Sequence, residues 1–218
     1  MSEFASLAWV NTVDGALQPG DWPTSLMQDS SAFSVEKARR ASVMVPVFRH
    51  QDAWHVLYIR RCQRDGDRHS GQVAFPGGGR DESDADAIAT AVREAHEEIA
   101  LDPRQVSVLS PLAEYHTVSN YIVTPVVALV PWPHGYRPQP TEVDRIFSIP
   151  LAWLADQRNV EVRDRRYRPG DDSSLRALNL KVVYFKHYDG ELLWGATARM
   201  TIAFLKSLYQ GEIVLPNV

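Results

Sequence analysis

Two apolar runs, over residues 41–48 and 54–59, flank a short polar break. Their valines, isoleucine and aromatics predict a pair of strands, and Gln51-Asp52 between them suits a hairpin connection. Pro46 lies inside the first run. Proline has no N–H to give a ladder, so an edge position or a bulge is expected there. From residue 60 to 83 the chain turns polar and glycine-rich, with Gly66, Gly71, Gly77, Gly78 and Gly79. Then Ile88, Val92, Ala95 and Ile99 recur at i, i+4, i+7 and i+11, one stripe of a helix over residues 86–100, with Ser83 or Asp84 as its cap.

Strand patterns return over 105–112, 121–130, 145–149, 182–188 and 192–194, interrupted by an Arg-rich polar stretch at 158–168. A last helix is predicted over 197–209, with Ala198, Ile202, Leu205 and Tyr209 on one face and Gly211 as its stop. Strands outnumber helices, and helices separate groups of strands. That order predicts an α/β domain with a mixed sheet flanked by helices, over 38–218. Residues 1–37 read as an irregular arm, and no internal repeat is found.

Composition narrows the function. The 218 residues are 44% hydrophobic and 23% charged, ordinary for a folded domain. A formal charge of −4 argues against a general nucleic-acid binder. Cys62 is the single cysteine, so no intrachain disulfide can form, which suits a reducing compartment. The longest stretch free of Asp, Glu, Lys and Arg, 115–136, holds three prolines and several polar residues and makes a poor membrane span. The first ten residues lack a basic segment followed by an apolar run, so no secretory signal is expected and the cytoplasm, or an organellar matrix, is the expected location.

The chemistry concentrates in Arg93-Glu94-Ala95-His96-Glu97-Glu98. With Ile88 at zero on a wheel of about 100° per residue, Glu94, Glu97 and Glu98 fall near 240°, 180° and 280°. Three carboxylates thus share a side away from the apolar stripe. They repel one another by a few tenths of a kcal/mol per pair. They form either a solvated face or an oxygen cage for Mg²⁺ or Mn²⁺. The preceding Phe75-Pro-Gly-Gly-Gly79 favours the cage, since glycines let bare backbone approach a phosphate or a metal. The loop is neither a P-loop nor a dinucleotide fingerprint, because the required spacings fail.

Loop and helix together resemble the Nudix box, G-x5-E-x7-R-E-U-x-E-E-x-G-U, with Gly79 leading and Leu101 closing. The sequence departs twice. Ala85 stands where the first glutamate belongs, with Asp84 or Asp86 as substitutes beside Arg93, and Ala100 stands where the late glycine belongs. Residues 57–61 and 68–78 resemble the upstream motif of the coenzyme A diphosphatase branch. So do 81–84, 121–128, 142–151 and 193–199, and the likeness extends over about 38–210.

The resemblance implies an α/β/α sandwich. It also implies metal-dependent cleavage of a CoA or acyl-CoA diphosphate to 4′-phosphopantetheine and adenosine 3′,5′-bisphosphate. Glu94, Glu97, Glu98 and the Gly78 carbonyl would hold Mg²⁺ or Mn²⁺. Arg93 would orient Glu94, and a box glutamate or a loop residue, Glu142 or Asp144, would be the general base. Gly77 and Gly79 would approach the substrate. Arg60, Arg68 and His69 would meet its phosphates, with ordinary surface charge as the alternative for the arginines. Two rivals remain: a Nudix diphosphatase for ADP-ribose, dinucleotides or nucleoside triphosphates, and a non-catalytic Nudix scaffold that senses nucleotides. A homodimer stays open. The second arginine cluster, Arg158, Arg163, Arg165, Arg166 and Arg168, is interleaved with Glu161 and Asp164 and reads as a salt-bridged surface.

Overall fold

The computed structural model describes residues 38–64, 69–117, 119–132, 135–164 and 181–216. The expected arm at 1–37, Arg68, Arg165, Arg166 and Arg168 lie outside them.

The hairpin expected near residue 51 forms between β1 (Arg39–His50) and β2 (Ala53–Arg61). Gln51 and Asp52 make the turn with φ of 47° and 62°. Two consecutive left-handed residues match the twist of the strands they join. The strands pair only near this turn, from Val47↔Val56 to His50↔Ala53. Beyond it they part like a fork, and residues 73–79 enter the opening. There β3 (Val73–Ala74) pairs with β2, and β4 (Gly77–Gly79) pairs antiparallel with β1.

The fork accounts for Pro46, which is not on an edge. β7 (Tyr121–Leu129) runs parallel to β1, with Pro46 opposite Ala128. The N–H of Met44 goes to Pro76 O at 2.8 Å and β2 begins pairing only at Val47, so the missing N–H of Pro46 falls in the crotch, where no ladder bond is due.

The remaining sheet strands are β5 (Ser107–Pro111) and β6 (Tyr115–His116), both antiparallel to β7, and β8 (Val143–Pro150), antiparallel to β2. One parallel pair among antiparallel ones makes the sheet mixed. Side chains alternate between two cores. Met44, Phe48, Leu57, Ile59, Val126 and Ala128 face α1 (Ala87–Ile99). Val45, Val47, Val56, Tyr58, Val123 and Val127 face the layer holding α2 (Leu151–Ala155) and α3 (Gly195–Tyr209). Helices on both faces give the expected α/β/α sandwich.

The Arg-rich stretch contains a strand that the sequence reading did not anticipate. β9 (Val160–Asp164) pairs with β10 (Lys181–Phe185) as a separate ribbon. Arg158 pairs with Asp156, Arg163 with Glu161, and Lys181 with Asp164, so the described part is the expected salt-bridged surface. Residues 192–194 are not a strand; Trp194 makes one isolated bridge to Tyr184 and precedes α3.

Helix α1 starts one residue after its cap, which is Asp86 and not Ser83 or Asp84: the Asp86 carboxylate accepts the Ala89 N–H at 2.8 Å. It ends at Ala100, left-handed at φ 56°, whose N–H returns to His96 O at 3.0 Å. A Cβ in that conformation costs about 1 kcal/mol relative to glycine. Ala100→Gly should therefore raise Tm by roughly 2–4 °C in scanning calorimetry. An unchanged or lower Tm would show that the αL strain is relieved elsewhere.

Candidate active site

The 73–79 segment is held from both sides of the fork. Phe75 is buried, with its ring stacked on Tyr58 at a centroid distance of 4.8 Å. Glycine is obligatory at 77: φ is +157°, and a Cβ would lie 2.4 Å from Ser42 O. At Gly78 a Cβ would lie 2.5 Å from Glu94 Oε1, so a bare backbone is what lets this carboxylate rest against the loop. Gly79 has open space on its Cβ side and contributes its carbonyl instead.

That carbonyl goes to Arg93, which organises the site. Its Nε and one terminal nitrogen grip Asp84 at 3.0 and 2.9 Å. The same nitrogen donates to Gly79 O at 2.9 Å. The other terminal nitrogen donates to Glu94 Oε1 and Glu97 Oε2, each at 3.0 Å. Asp84 thus takes the place beside Arg93 that Ala85 leaves vacant in the box. It is buried, it accepts the Asp81 N–H at 2.9 Å, and the Arg93 hydrogen bonds hold its carboxyl well below the usual carboxylate range.

The three glutamates are not equally placed. Glu97 is exposed, Glu94 is half-buried, and Glu98 retains 2% of its surface, which corrects the expectation that all three point away from the core. The buried residues of α1 are Thr90, Ala91, Ala95, Glu98 and Ile99, with Ile88 and Val92 only partly covered. The helix residues that meet the glycine strand are Glu94, against Gly78, and one turn on Glu98, which reaches Gly77. Its Oε2 accepts the Gly77 N–H at 2.9 Å. Burial pushes the Glu98 carboxyl up to about 7, against the pull of the Gly77 N–H and the Arg61 charge. Burial also raises Glu94, opposed by Arg93. The Glu142 charge works against ionisation of both, which puts it in the same field.

Among the described residues no three acidic, histidine or cysteine side chains are already gathered into a cation cage. The donor set nevertheless suits a hard divalent cation. Arg93 engages one oxygen of Glu94 and one of Glu97, and Gly77 engages one of Glu98. A second oxygen on each has no hydrogen bond among the described residues. Arg93 faces Asp84, Glu94 and Glu97, and the Arg61 charge acts on Glu98, so four carboxylates meet two guanidiniums in this cluster. Two of these carboxylates are raised by burial, the condition a bound cation would reverse.

The flanking residues divide. His69 Nδ1 lies 3.2 Å from Gln72 Oε1, a contact within the loop. Glu142, in the turn just before β8, lies 3.9 Å from Arg64, and its carbonyl accepts the Cys62 N–H at 2.8 Å. Arg60 does not reach the α1 face. Strand alternation sends it to the opposite side, where it pairs with Asp144 and with buried Glu191. The residue that β2 does direct toward the acidic helix is Arg61, whose charge acts on Glu98. Period-two alternation from Ile59 could have distinguished the two arginines. Glu191 and Arg145 gave no sequence signal.

The NUDIX domain family model matches residues 38–169. The protein named "Uncharacterized Nudix hydrolase NudL" of Escherichia coli K12 is 38% identical over 160 residues, 73% of this chain and 78% of the relative. Its namesake in Pectobacterium atrosepticum is 37% identical over 169 residues, 75% of this chain and 80% of the relative. The crystal structure of the Nudix hydrolase RenU from M. smegmatis matches with a TM-score of 0.52 at 19% identity, covering 83% of this chain and 91% of that one, a likeness of fold.

Two outcomes follow from the geometry. The folded protein holds the Glu98 proton more tightly than the unfolded chain does. This group therefore stabilises the fold fully below its ordinary value of 4.5 and loses that contribution as pH rises through about 7. With divalent ions chelated, Glu98→Gln should match the parent Tm near pH 4 and exceed it at pH 8 by about 5 °C or more; parallel pH profiles would contradict the buried placement. Gly78→Ala should displace the Glu94 carboxylate, cutting turnover at least ~10-fold while Tm changes little. Undiminished turnover would show that Glu94 need not rest on this loop.

Proposed function

The chain belongs to the NUDIX family and is a Nudix-type diphosphatase, and from that premise we propose that it cleaves the diphosphate of coenzyme A or an acyl-CoA. The products are (acyl-)4′-phosphopantetheine and adenosine 3′,5′-bisphosphate. The support is the stretch 68–78 that leads into Phe75-Pro-Gly-Gly78, the part of the chain most like the CoA diphosphatase branch. The segments that share this likeness surround that loop. Residues 121–128 lie in β7 alongside β1, and 142–151 supply β8 beside β2. In 193–199, Thr197 Oγ1 donates to Val73 O at 3.2 Å, beneath the strand that enters the loop.

Bound Mg²⁺ or Mn²⁺ would neutralise the diphosphate and acidify a water. Glu94, Glu97 and Glu98, with the Gly78 carbonyl, are the proposed holders. Arg93 keeps Glu94 and Glu97 in register by occupying one oxygen of each and leaving the other. Gly77 and Gly79 give the substrate an approach without side-chain bulk. Glu142 is the proposed proton acceptor from the attacking water, its carboxylate half-exposed in the turn just before β8. As water's oxygen bonds to one phosphorus, the bridging oxygen leaves with the other phosphate. Arg68 is the proposed contact for the 3′-phosphate, and His69 for the phosphates or for loop order.

Product analysis by chromatography, with CoA, acyl-CoA and ADP-ribose offered with Mg²⁺ or Mn²⁺, tests this reading. The expected result is adenosine 3′,5′-bisphosphate from the CoA substrates at a kcat/KM at least ~10-fold above that for ADP-ribose. Glu97→Gln or Glu98→Gln should lower kcat at least ~100-fold. Arg68→Ala should raise KM for CoA by roughly 10- to 150-fold, the range of a charge-assisted hydrogen bond, and leave 3′-dephospho-CoA nearly unaffected. Preference for ADP-ribose would replace the substrate and keep the diphosphatase.

A further inference from the structure

Val143 and Ile146 of β8 both face the α1 core although they are three residues apart, whereas a regular strand returns to the same face every second residue. The extra residue is Asp144. Arg60 pairs with Arg145 and Arg61 with Val143, so the ladder skips Asp144 at the step between the two arginines. The bulge places Val143 on the same face as Arg61 and brings Glu142 O onto the Cys62 N–H. Arg60 closes over it from the far face. Its Nε and one terminal nitrogen hold Asp144 Oδ2 at 2.8 and 2.6 Å, and the other terminal nitrogen holds buried Glu191 at 2.9 Å. Arg145 grips the same Glu191 oxygen at 2.8 Å.

We propose that Arg60 is a positioning residue: by clamping Asp144 it fixes the β2–β8 bulge, and the bulge brings Glu142 to Cys62, beside Arg61, which the alternation of β2 already sets on the face of the acidic helix. This rests on the diphosphatase reading and on the role given to Glu142, but not on coenzyme A as the substrate. A bulge of one residue is a device for re-aiming side chains beside a site. A slip of one position in β8 would carry Glu142 away from it. Fixed by Asp144 and Glu191 on the opposite face, Arg60 is engaged where a substrate phosphate on the α1 side does not reach it.

A double-mutant cycle tests the clamp, read as steady-state kinetics on both CoA and ADP-ribose with Mg²⁺ and as amide exchange at Cys62. Arg60→Ala and Asp144→Asn should each lower kcat by about 10- to 100-fold, by the same factor on either substrate, with KM nearly constant. The pair together should be no worse than either alone. Both should speed exchange of the Cys62 amide, whose partner is Glu142 O. The two readouts also separate the proposals: failure of the coenzyme A reading appears as a substrate preference in the parent protein, with the variants' fold-losses intact. A rise in KM for CoA alone in Arg60→Ala would overturn the clamp in favour of phosphate binding. A loss confined to Asp144→Asn would overturn it in favour of Asp144 as the base. A lower Tm with unchanged kcat and Cys62 exchange would reduce the clamp to a structural ion pair.

Discussion

The site depends on the sharing of one guanidinium. Arg93 is the cation among Asp84, Glu94 and Glu97, and it also holds the carbonyl of the glycine strand. A lysine has one ammonium and could not make this fork. Because the guanidinium is planar, it fixes the distances between loop, turn and helix simultaneously. Asp84 supplies its compensating charge from a buried position, so the glutamates need not do so. Glu94 and Glu97 each keep an oxygen for other work.

The second constraint is steric. β1 and β2 part, and only bare backbone enters the opening close enough to meet α1. The same closeness brings Glu98 into the core, where the Gly77 N–H is its hydrogen-bond partner among the described residues. A carboxylate there works against folding whenever it is ionised and uncompensated. Nothing in packing calls for it, so its burial is the observation that best supports the proposed divalent-cation site.

Much of this was legible in the sequence, because periodicity and turn chemistry are local. The β1–β2 hairpin, both long helices and the glycine loop followed from residue pattern, and Asp84 was one of two named substitutes for the missing glutamate. The rest depends on tertiary placement. Pro46 reads as an edge signal by itself, and only the fork explains how a central strand tolerates it. Glu98 reads as surface from a wheel centred on Ile88, because the wheel does not know which neighbour comes closest. Arg60 and Arg61 look equivalent as a pair until the alternation of β2 sends them to different faces. β9 was hidden by its charges, since a ribbon outside the main sheet needs few apolar residues.

The central claim is that the raised carboxylates of α1 and the glycine strand form one divalent-cation site. Electron paramagnetic resonance of Mn²⁺ titrated into the full chain tests it without any substrate. The account predicts saturable binding, weakened at least ~10-fold by Glu98→Gln and by Glu94→Gln. Mn²⁺ binding that is absent, or that is unchanged in both variants, would contradict it.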